Sequence, residues 1–350
     1  MPNLITRAHS VLFPVVADLN LSEDILRFLG SGGQSLLFGE TREEYATGRI
    51  SEAKRTTETA DLWKYTVARV KARTGSALLA LDADITAVHR LHRLTPALPS
   101  LEEAQRMPAH EFEAAVYQVA KAAKALGVNL FLSPTADVVI GTNPWLSGRT
   151  LGSDVATVSR LVEAYVRGIR RAGVGAGLKH YPGHPVCTGM PGSEEAHVPG
   201  TLEDLRPFLA PFDVGIAAGA DAVMMGPAIF DAVTPPVAAS ISPDLIGLLK
   251  KESAFEGLVI TCDLDAKATM RGMSISDTAI AALVAGADLL LLSPTMVPEI
   301  ASIAAAIARA VEDGRLLRSR LDAASGAITA LIRTLDNVGR GNPPVTARLR

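Results

Sequence analysis

The chain has few cysteines and no excess of positive charge. Its two cysteines, Cys187 and Cys262, are far apart and form no Cys-x-x-Cys pair. This excludes a disulfide framework and a structural zinc cluster built on cysteines. The net charge is −3, and the basic residues are dispersed along the chain. Without a basic patch there is no electrostatic footprint for nucleic acid or for an anionic membrane, so we expect neither as a partner.

Long apolar runs are also missing. The segment Met1–Ser10 does not combine a charged region with a following apolar stretch and a cleavage site. No later segment approaches the roughly 18 uncharged apolar residues that a membrane-spanning helix needs. We therefore expect a cytoplasmic protein.

The chain does contain a repeated arrangement of short apolar runs, each followed by a longer helical pattern. Eight such β-then-α units are typical of a closed (β/α)8 barrel of the TIM type, an α/β fold. An open, doubly wound parallel sheet is the alternative, but no Gly-x-Gly-x-x-Gly follows the first run. The apolar runs are Val11–Val16, Ser35–Phe38, Ala77–Leu81, Leu130–Ser133, Gly175–Leu178, Ala222–Met225, Leu258–Thr261 and Leu289–Leu292.

The domain prediction follows from length and from the last two helical patterns. With 350 residues, of which 48% are hydrophobic, the chain is long enough for one large barrel. The helical patterns Met296–Val311 and Leu316–Val338 would complete the outer ring. We therefore predict one barrel domain over residues 1–338. A loosely ordered tail is expected over residues 339–350, which contain two prolines and two glycines.

Polar residues follow the predicted strands where a barrel carries its active site. In a (β/α)8 barrel, functional side chains sit just past the carboxyl ends of the strands. Four strands of this chain deliver such residues, which is more than chance supplies. They are Asp82 after strand three, Thr135 and Asp137 after strand four, Lys179 and His180 after strand five, and Cys262 and Asp263 after strand seven.

Two histidine-containing segments indicate the chemistry of this site. Lys179–His184 reads Lys-His-Tyr-Pro-Gly-His, which places an ammonium and two imidazoles after an apolar strand. Further on, Glu195-Ala196-His197 places a carboxylate two residues before a histidine. A carboxylate so close can orient the imidazole and raise its basicity. These segments predict a site for a polar ligand with an acid/base group beside it.

These residues resemble glycoside hydrolase family 3, and within it the single-domain β-N-acetylglucosaminidases. The family carries K-H-F-P-G-H-G, and Lys179–His184 matches it with tyrosine in place of phenylalanine. Other matches cover most of the chain. They are Leu81–Arg90, Asn143–Pro144, Gly148–Gly152, Ala238–Pro243, Gly257–Thr261 and Ala285–Leu291. The resemblance implies a family 3 barrel and a sugar or glycoside as the ligand.

The resemblance also implies a set of sugar-binding residues. An aspartate, two arginines, a lysine and a histidine hold the sugar in the family. Carboxylates and guanidinium groups suit hydroxyls because both make directed hydrogen bonds. The matching residues here are Asp82, Arg90, Arg149, Lys179 and His180. Asp84–Ala87 departs from the family's E-G-G-R, so we expect the pocket around the sugar to be reshaped.

The proton donor implied by the resemblance is a histidine in a loop after strand five, paired with the aspartate of D-S-H. Here Glu195-Ala196-His197 occupies that place, with glutamate for aspartate. The loop before it, Pro185–Glu194, is longer than in the family, and its Gly and Pro residues suit a loop that swings over the sugar. We predict His197 and Glu195 as the acid/base dyad and His184 as a support for the loop base.

The expected nucleophile is missing. The family's seventh strand ends in T-D-D-L or T-D-A-L, and its first aspartate attacks the sugar. This chain reads Thr261-Cys262-Asp263-Leu264. Leu264 fixes the register, so Cys262 stands at the attacking position, with Asp263 next to it. A thiol is neutral unless its pKa is lowered, which puts ordinary retaining hydrolysis in question.

A bond between Cys187 and Cys262 is a further hypothesis.

Three functions remain open on the sequence. The first is a family 3 enzyme acting on a β-linked N-acetylhexosaminide or related amino sugar, with Asp263 or the Cys262 thiolate as a substitute nucleophile. The second is a repurposed enzyme that performs transfer, elimination or another reaction on a sugar or cyclitol in a biosynthetic pathway. The third is a sugar-binding protein without catalysis, against which the pair His197 and Glu195 argues. No metal cluster or nucleotide motif is present, so we predict no cofactor.

Overall fold

The computed structural model describes residues 3–41, 43–44, 49–86 and 89–339. Its main sheet contains eight strands, all parallel, which neighbour one another in chain order. They are β1 Leu12–Val16, β2 Ser35–Phe38, β3 Leu78–Leu81, β4 Leu130–Phe131, β5 Gly175–Tyr181, β7 Ala222–Met225, β10 Leu258–Thr261 and β11 Leu290–Leu292. A smaller sheet holds β6 His197–Val198, β8 Ile229–Phe230 and β9 Val237–Ala238.

Backbone contacts between the last two barrel strands close the sheet. Ile260 and Leu289 form a parallel bridge, and the Thr261 N–H donates to the Leu289 carbonyl at 3.0 Å. On the other side, β11 pairs with β1 in the register Leu12 to Leu290. The prediction of a closed (β/α)8 barrel is therefore confirmed. Apolar side chains of the strands and surrounding helices form one continuous core.

Strand ends differ from prediction mainly beside the site. The strand predicted at Gly175–Leu178 continues to Tyr181, because β5 keeps pairing with β7 as far as Tyr181 opposite Met225. The strand predicted at Leu130–Ser133 ends at Phe131. Pro134 follows shortly and offers no N–H to a ladder.

Helices lie between the barrel strands. The described ones are α1 Leu4–Ser10, α2 Glu23–Gly30, α3 Glu52–Thr57, α4 Ala60–Thr74, α5 Leu101–Arg106, α6 Ala109–Ala125, α7 Val155–Arg171, α8 Leu202–Leu205, α9 Ala210–Ala217, α10 Pro243–Lys251, α11 Lys267–Met270, α12 Ile275–Ala285, α13 Ile300–Glu312 and α14 Arg318–Gly339. The helical patterns predicted near residues 300 and 330 correspond to α13 and α14. Residues 340–350 of the predicted tail lie outside the described residues, and the domain limits stay a prediction.

Pro294–Glu312 is long and apolar enough to cross a membrane by length and composition alone. Its α-helical part, α13, buries Ile300, Ile303, Ala304 and Ile307. Residues at this spacing share one helix face, as in a helix that packs on the core of a globular domain. The burial pattern therefore favours a core-packing helix.

The small sheet lies beyond the carboxyl ends of the barrel strands. Strand β6 follows β5, and β8 and β9 follow β7, so all three belong to βα connections. Strand β6 pairs with β8 in the register His197 to Ile229, and the Ile229 N–H donates to the Ala196 carbonyl at 2.8 Å. This pairing fixes the backbone of His197, which we predicted to lie in a swinging loop.

Candidate active site

Lys179 lies between two carboxylates at the end of β5. Its Nζ contacts Asp82 Oδ1 and lies 2.8 Å from Asp84 Oδ2. Asp84 is held in turn by the Thr135 N–H, which donates to its Oδ1 at 2.9 Å. Burial favours the neutral amine, but the two carboxylates outweigh it and hold the pKa of Lys179 above its ordinary value. The site therefore keeps a fixed positive charge beside Asp82.

Asp137 connects both histidines of the Lys179–His184 segment. Its Oδ2 accepts the His180 N–H at 2.8 Å and lies 2.8 Å from His180 Nδ1, while its Oδ1 lies 2.8 Å from His184 Nδ1. Burial alone would raise the pKa of Asp137, but the two histidines hold it below its usual range. Burial lowers the pKa of His180 despite this contact. We infer a neutral imidazole that donates from Nδ1 to Asp137.

An aromatic ring and a backbone contact fix this wall of the site. The ring centroid of Trp145 lies 4.6 Å from that of His180 and 5.0 Å from that of His184. Asn143 Nδ2 donates to the His184 carbonyl at 2.7 Å. These contacts hold His184 in place at the start of the following loop, and its role as a support for the loop base stays a prediction.

Glu40, which the sequence analysis missed, belongs to the same group of charges. It follows β2, is half-buried, and has its pKa raised to about 7 by burial and then by Asp82. The positive charges of Lys179, Arg90 and Arg149 lower the pKa of Glu40. Glu40 and Arg149 therefore lie close to the charged groups around Lys179. The rule that singled out Asp82 could have found it, since Glu40 also lies just past a strand's carboxyl end.

The structure corrects the assignment of Arg90 to the sugar. The Arg90 side chain is completely buried. Its Nη2 donates to Glu58 Oε1 at 2.8 Å, its Nη1 also contacts Glu58, and its Nε donates to the Gly39 carbonyl at 2.6 Å. The guanidinium also lies 5.2 Å from the ring centroid of Trp63. A buried guanidinium needs such partners, and here they turn its donors away from a ligand.

The carboxylate that contacts His197 is Asp231, and the predicted pairing with Glu195 is wrong in this structure. His197 Nδ1 lies 2.8 Å from Asp231 Oδ1, and its ring is 35% exposed. Glu195 is exposed and has no hydrogen bond in the described part of the chain. The small sheet is the cause, because its register places Asp231, which follows β8, beside β6. The Asp231 N–H donates to the Val198 carbonyl at 3.1 Å.

Cys262 lies half-buried at the end of β10. Its N–H donates to the Met225 carbonyl and to Ser240 Oγ, both at 3.1 Å. Burial, followed by the charge of Asp263, raises the pKa of the thiol far above its ordinary value. Lys179 and Asp82 also act on this pKa, so Cys262 shares the site with them. The thiol is therefore neutral at physiological pH.

Asp263 is the titratable neighbour of this thiol. Its pKa is raised to about 7 by burial and then by the carboxylates of Asp265 and Asp82. Asp265 itself accepts hydrogen bonds from the N–H and the hydroxyl of Ser293, at 3.2 and 2.6 Å. A carboxyl group with such a pKa exists in both protonation states near neutral pH.

The hypothesis of a bond between the two cysteines does not hold in the structure. Both Cys187 and Cys262 are free thiols. Cys187 is buried, and its Sγ lies 3.5 Å from the Gly189 carbonyl.

We expect Asp263→Asn to change how stability depends on pH. The folded-state pKa of about 7 lies above the ordinary 3.8, so between these values the folded protein binds the proton more tightly than the unfolded chain. Wild type therefore loses stability as pH rises from 4 to 8, and the amide removes this loss. In chemical denaturation, Asp263→Asn should gain about 2–4 kcal/mol relative to wild type on going from pH 4 to pH 8. The exposed control Asp61→Asn should show no comparable change, and equal curves for both variants would contradict the assignment.

Sequence comparison identifies the class of protein to which this barrel belongs. The sequence profile of the family described as "Glycosyl hydrolase family 3 N terminal domain" matches residues 33–331. The chain belongs to glycosyl hydrolase family 3. This confirms the resemblance found from the Lys179–His184 segment.

Individual relatives agree with the family. The chain is 34% identical over 229 residues to a β-hexosaminidase of Xylella fastidiosa strain 9a5c, covering 61% of this chain and 66% of that protein. A β-hexosaminidase of Stenotrophomonas maltophilia strain R551-3 is 31% identical over 236 residues, covering 63% of this chain and 69% of the relative. The chain thus spans just under two thirds of the Xylella protein.

Solved structures give the same fold. A family 3 β-N-acetylglucosaminidase from Paenibacillus sp. str. FPU-7 superimposes with a TM-score of 0.84 at 26% identity, covering 95% of this chain and 63% of the other. A β-N-acetylhexosaminidase from Beutenbergia cavernae superimposes with a TM-score of 0.80 at 23% identity, covering 94% and 98%. At that lower identity the second match shows the fold alone.

Proposed function

We propose that this chain is a glycoside hydrolase that acts on a β-linked N-acetylhexosaminide or a related amino sugar. The observation that carries the proposal is the group formed by Lys179, Asp82 and His180 at the barrel mouth, with Asp137 behind the histidine. Asp82 would accept hydrogen bonds from neighbouring hydroxyls of one sugar ring, and Lys179 and His180 would donate to or accept from the others. The names of the β-hexosaminidase relatives support the substrate class.

His197 is the proposed proton donor. Asp231 holds its Nδ1, which leaves Nε2 to exchange the proton with the glycosidic oxygen. In the first step the imidazolium would protonate the leaving oxygen as the glycosidic bond breaks. In the second step the neutral imidazole would take a proton from the attacking water. Asp231 orients the ring in both steps, and Glu195 takes no part.

Asp263 is the proposed attacking carboxylate, because the Cys262 thiol is neutral. Its ionised form would bond to the anomeric carbon while the leaving group departs with the proton from His197. Water would then open the resulting ester. Because the pKa of Asp263 is raised to about 7, the reactive fraction would grow with pH across neutrality. We expect slow turnover. On 2,4-dinitrophenyl N-acetyl-β-glucosaminide, whose leaving group does not need the proton from His197, the rate should rise between pH 6 and pH 8 as Asp263 ionises.

The proposal is tested with 4-nitrophenyl N-acetyl-β-glucosaminide, 4-nitrophenyl β-glucoside and the variant Lys179→Met. We expect the wild type to prefer the N-acetylated substrate, and Lys179→Met to lower kcat/KM by about 100-fold, because a buried charged donor to the sugar is lost. Lys121→Met, on the exposed face of α6, is the matched control and should change nothing.

The alternative outcomes separate the competing functions. Equal rates on both substrates would overturn the N-acetylhexosamine specificity. Binding of the N-acetylated sugar without any turnover would indicate a sugar-binding protein. Neither binding nor turnover would refute the proposed substrate class altogether.

A further inference from the structure

A cationic cleft lies on the same face of the barrel as the Lys179 site. It has a volume of about 640 Å³. Its described lining residues lie within 49–55, after β2, and within 89–97, after β3, and such βα connections emerge at the carboxyl ends of the strands. The chemistry of its lining comes from five basic side chains. These are Arg49, Arg55, His89, His92 and Arg93.

Positive charge in this cleft is not balanced by its own carboxylates. Glu52 is the one acidic residue among the described residues that line it. Its Oε2 lies 3.7 Å from Arg55 Nε, an exposed pair three residues apart on α3. The exposed side chains of Arg49 and Arg93 complete the basic lining. Guanidinium groups present a fork of donors that matches the oxygens of phosphate or carboxylate.

The histidines of the cleft have polar atoms that no protein group satisfies. In the described part of the chain, neither ring nitrogen of His92 has a hydrogen-bond partner, although both are shielded from solvent. Among the described residues, Nδ1 of His89 also has no hydrogen-bond partner and is shielded from solvent. Its Nε2 lies 2.7 Å from Thr95 Oγ1. His92 also has a φ of 36°, a left-handed conformation that is uncommon outside glycine. Buried polar atoms left unpaired are costly, and such groups often mark a ligand site.

The largest charge effects on His92 come from positive groups. Burial and then Arg90, Arg55, Arg93 and His89 lower its pKa to about 4. His89 and the arginines at 90 and 93 come from the same segment as His92, whereas Arg55 belongs to α3. A bound anion would offset these positive charges, raise the pKa of His92 and favour the protonated imidazole.

We propose that this cleft binds an oxyanion, a phosphate or carboxylate group, through the guanidinium groups of Arg49 and Arg93, with a ring nitrogen of His92 as a further donor. The group is either a free anion or a substituent of the molecule whose sugar occupies the Lys179 site. Binding of the anion itself does not rest on the proposed hydrolysis.

The test is NMR of the histidine rings in the full-length protein during titration with inorganic phosphate at pH 6.5. We expect saturable shifts of the His92 resonances and a rise in the pKa of His92 by at least about one unit. Arg93→Gln and Arg49→Gln should each weaken phosphate binding about tenfold, as expected for loss of a charge-assisted hydrogen bond. Arg27→Gln, on the exposed face of α2, is the matched control.

A second arm distinguishes the two sources of the anion. If the anion is a substituent of the sugar ligand, N-acetylglucosamine 1-phosphate should bind more tightly than phosphate and should lose that advantage in Arg93→Gln. If it is a free anion, phosphate should bind equally well with and without N-acetylglucosamine. His92 resonances that phosphate leaves unmoved, or equal affinities in Arg93→Gln and Arg27→Gln, would overturn the proposal. Since phosphate binding is measured without turnover, its failure is distinct from a failure of the hydrolase proposal.

Discussion

Cys262→Asp is expected to raise kcat on 4-nitrophenyl N-acetyl-β-glucosaminide by about 100-fold or more. The thiol of wild type is held neutral by burial and by the charge of Asp263, and it makes a poor nucleophile. Aspartate at the same position would present a carboxylate on the strand face that carries the nucleophile in the family. A carboxylate both stabilises the oxocarbenium charge and forms an ester that water can open.

Cys262→Asn is the matched control for this substitution. It has the shape of aspartate without the charge, so it should give no increase in rate. If both variants behave like wild type while the sugar still binds, Cys262 does not lie at the attacking position. An increase in both would show that shape rather than charge limits the reaction.

His197→Ala is expected to lower kcat by about 100- to 10,000-fold on glycosides with poor leaving groups. An alkoxide needs the proton in the transition state, whereas a 2,4-dinitrophenolate leaves without it. The loss on 2,4-dinitrophenyl N-acetyl-β-glucosaminide should therefore be much smaller. This dependence on the leaving group is the signature of a proton donor and would not arise from a structural defect.

Asp231 and Glu195 are the two candidate partners of His197, and one substitution at each of them distinguishes the two. Asp231 Oδ1 lies 2.8 Å from His197 Nδ1, so Asp231→Asn should reduce kcat by about tenfold or more through the orientation of the ring. Glu195→Gln should retain the wild-type rate. The reverse ranking would restore the pairing that the sequence spacing suggested.

Much of the barrel could be predicted from the sequence because its strands are short, buried and regularly spaced. The predicted bounds of β2, β7 and β10 agree with the structure. Lys179, Asp82 and His180 could be predicted as neighbours for the same reason, since parallel strands bring their carboxyl ends to one face. Periodicity and topology were sufficient for these residues.

The partners of the remaining site residues depend on long-range contacts that spacing does not reveal. Asp231 reaches His197 through the pairing of β6 with β8, across 34 positions of sequence. Arg90 is turned away from the pocket by Glu58, which is 32 positions earlier. The pKa values of Cys262 and Asp263 depend first on burial, and in part on Asp82 from another strand, and a local motif shows neither.

The most direct test of the account is calorimetric titration of N-acetylglucosamine into wild type, Cys262→Asp and Lys179→Met at pH 7. We predict similar dissociation constants for wild type and Cys262→Asp, because the sugar-holding group is intact in both. Binding to Lys179→Met should be weakened by about tenfold or more. Failure of both wild type and Cys262→Asp to bind the sugar would contradict the claim that this barrel retains an N-acetylhexosamine site around Lys179.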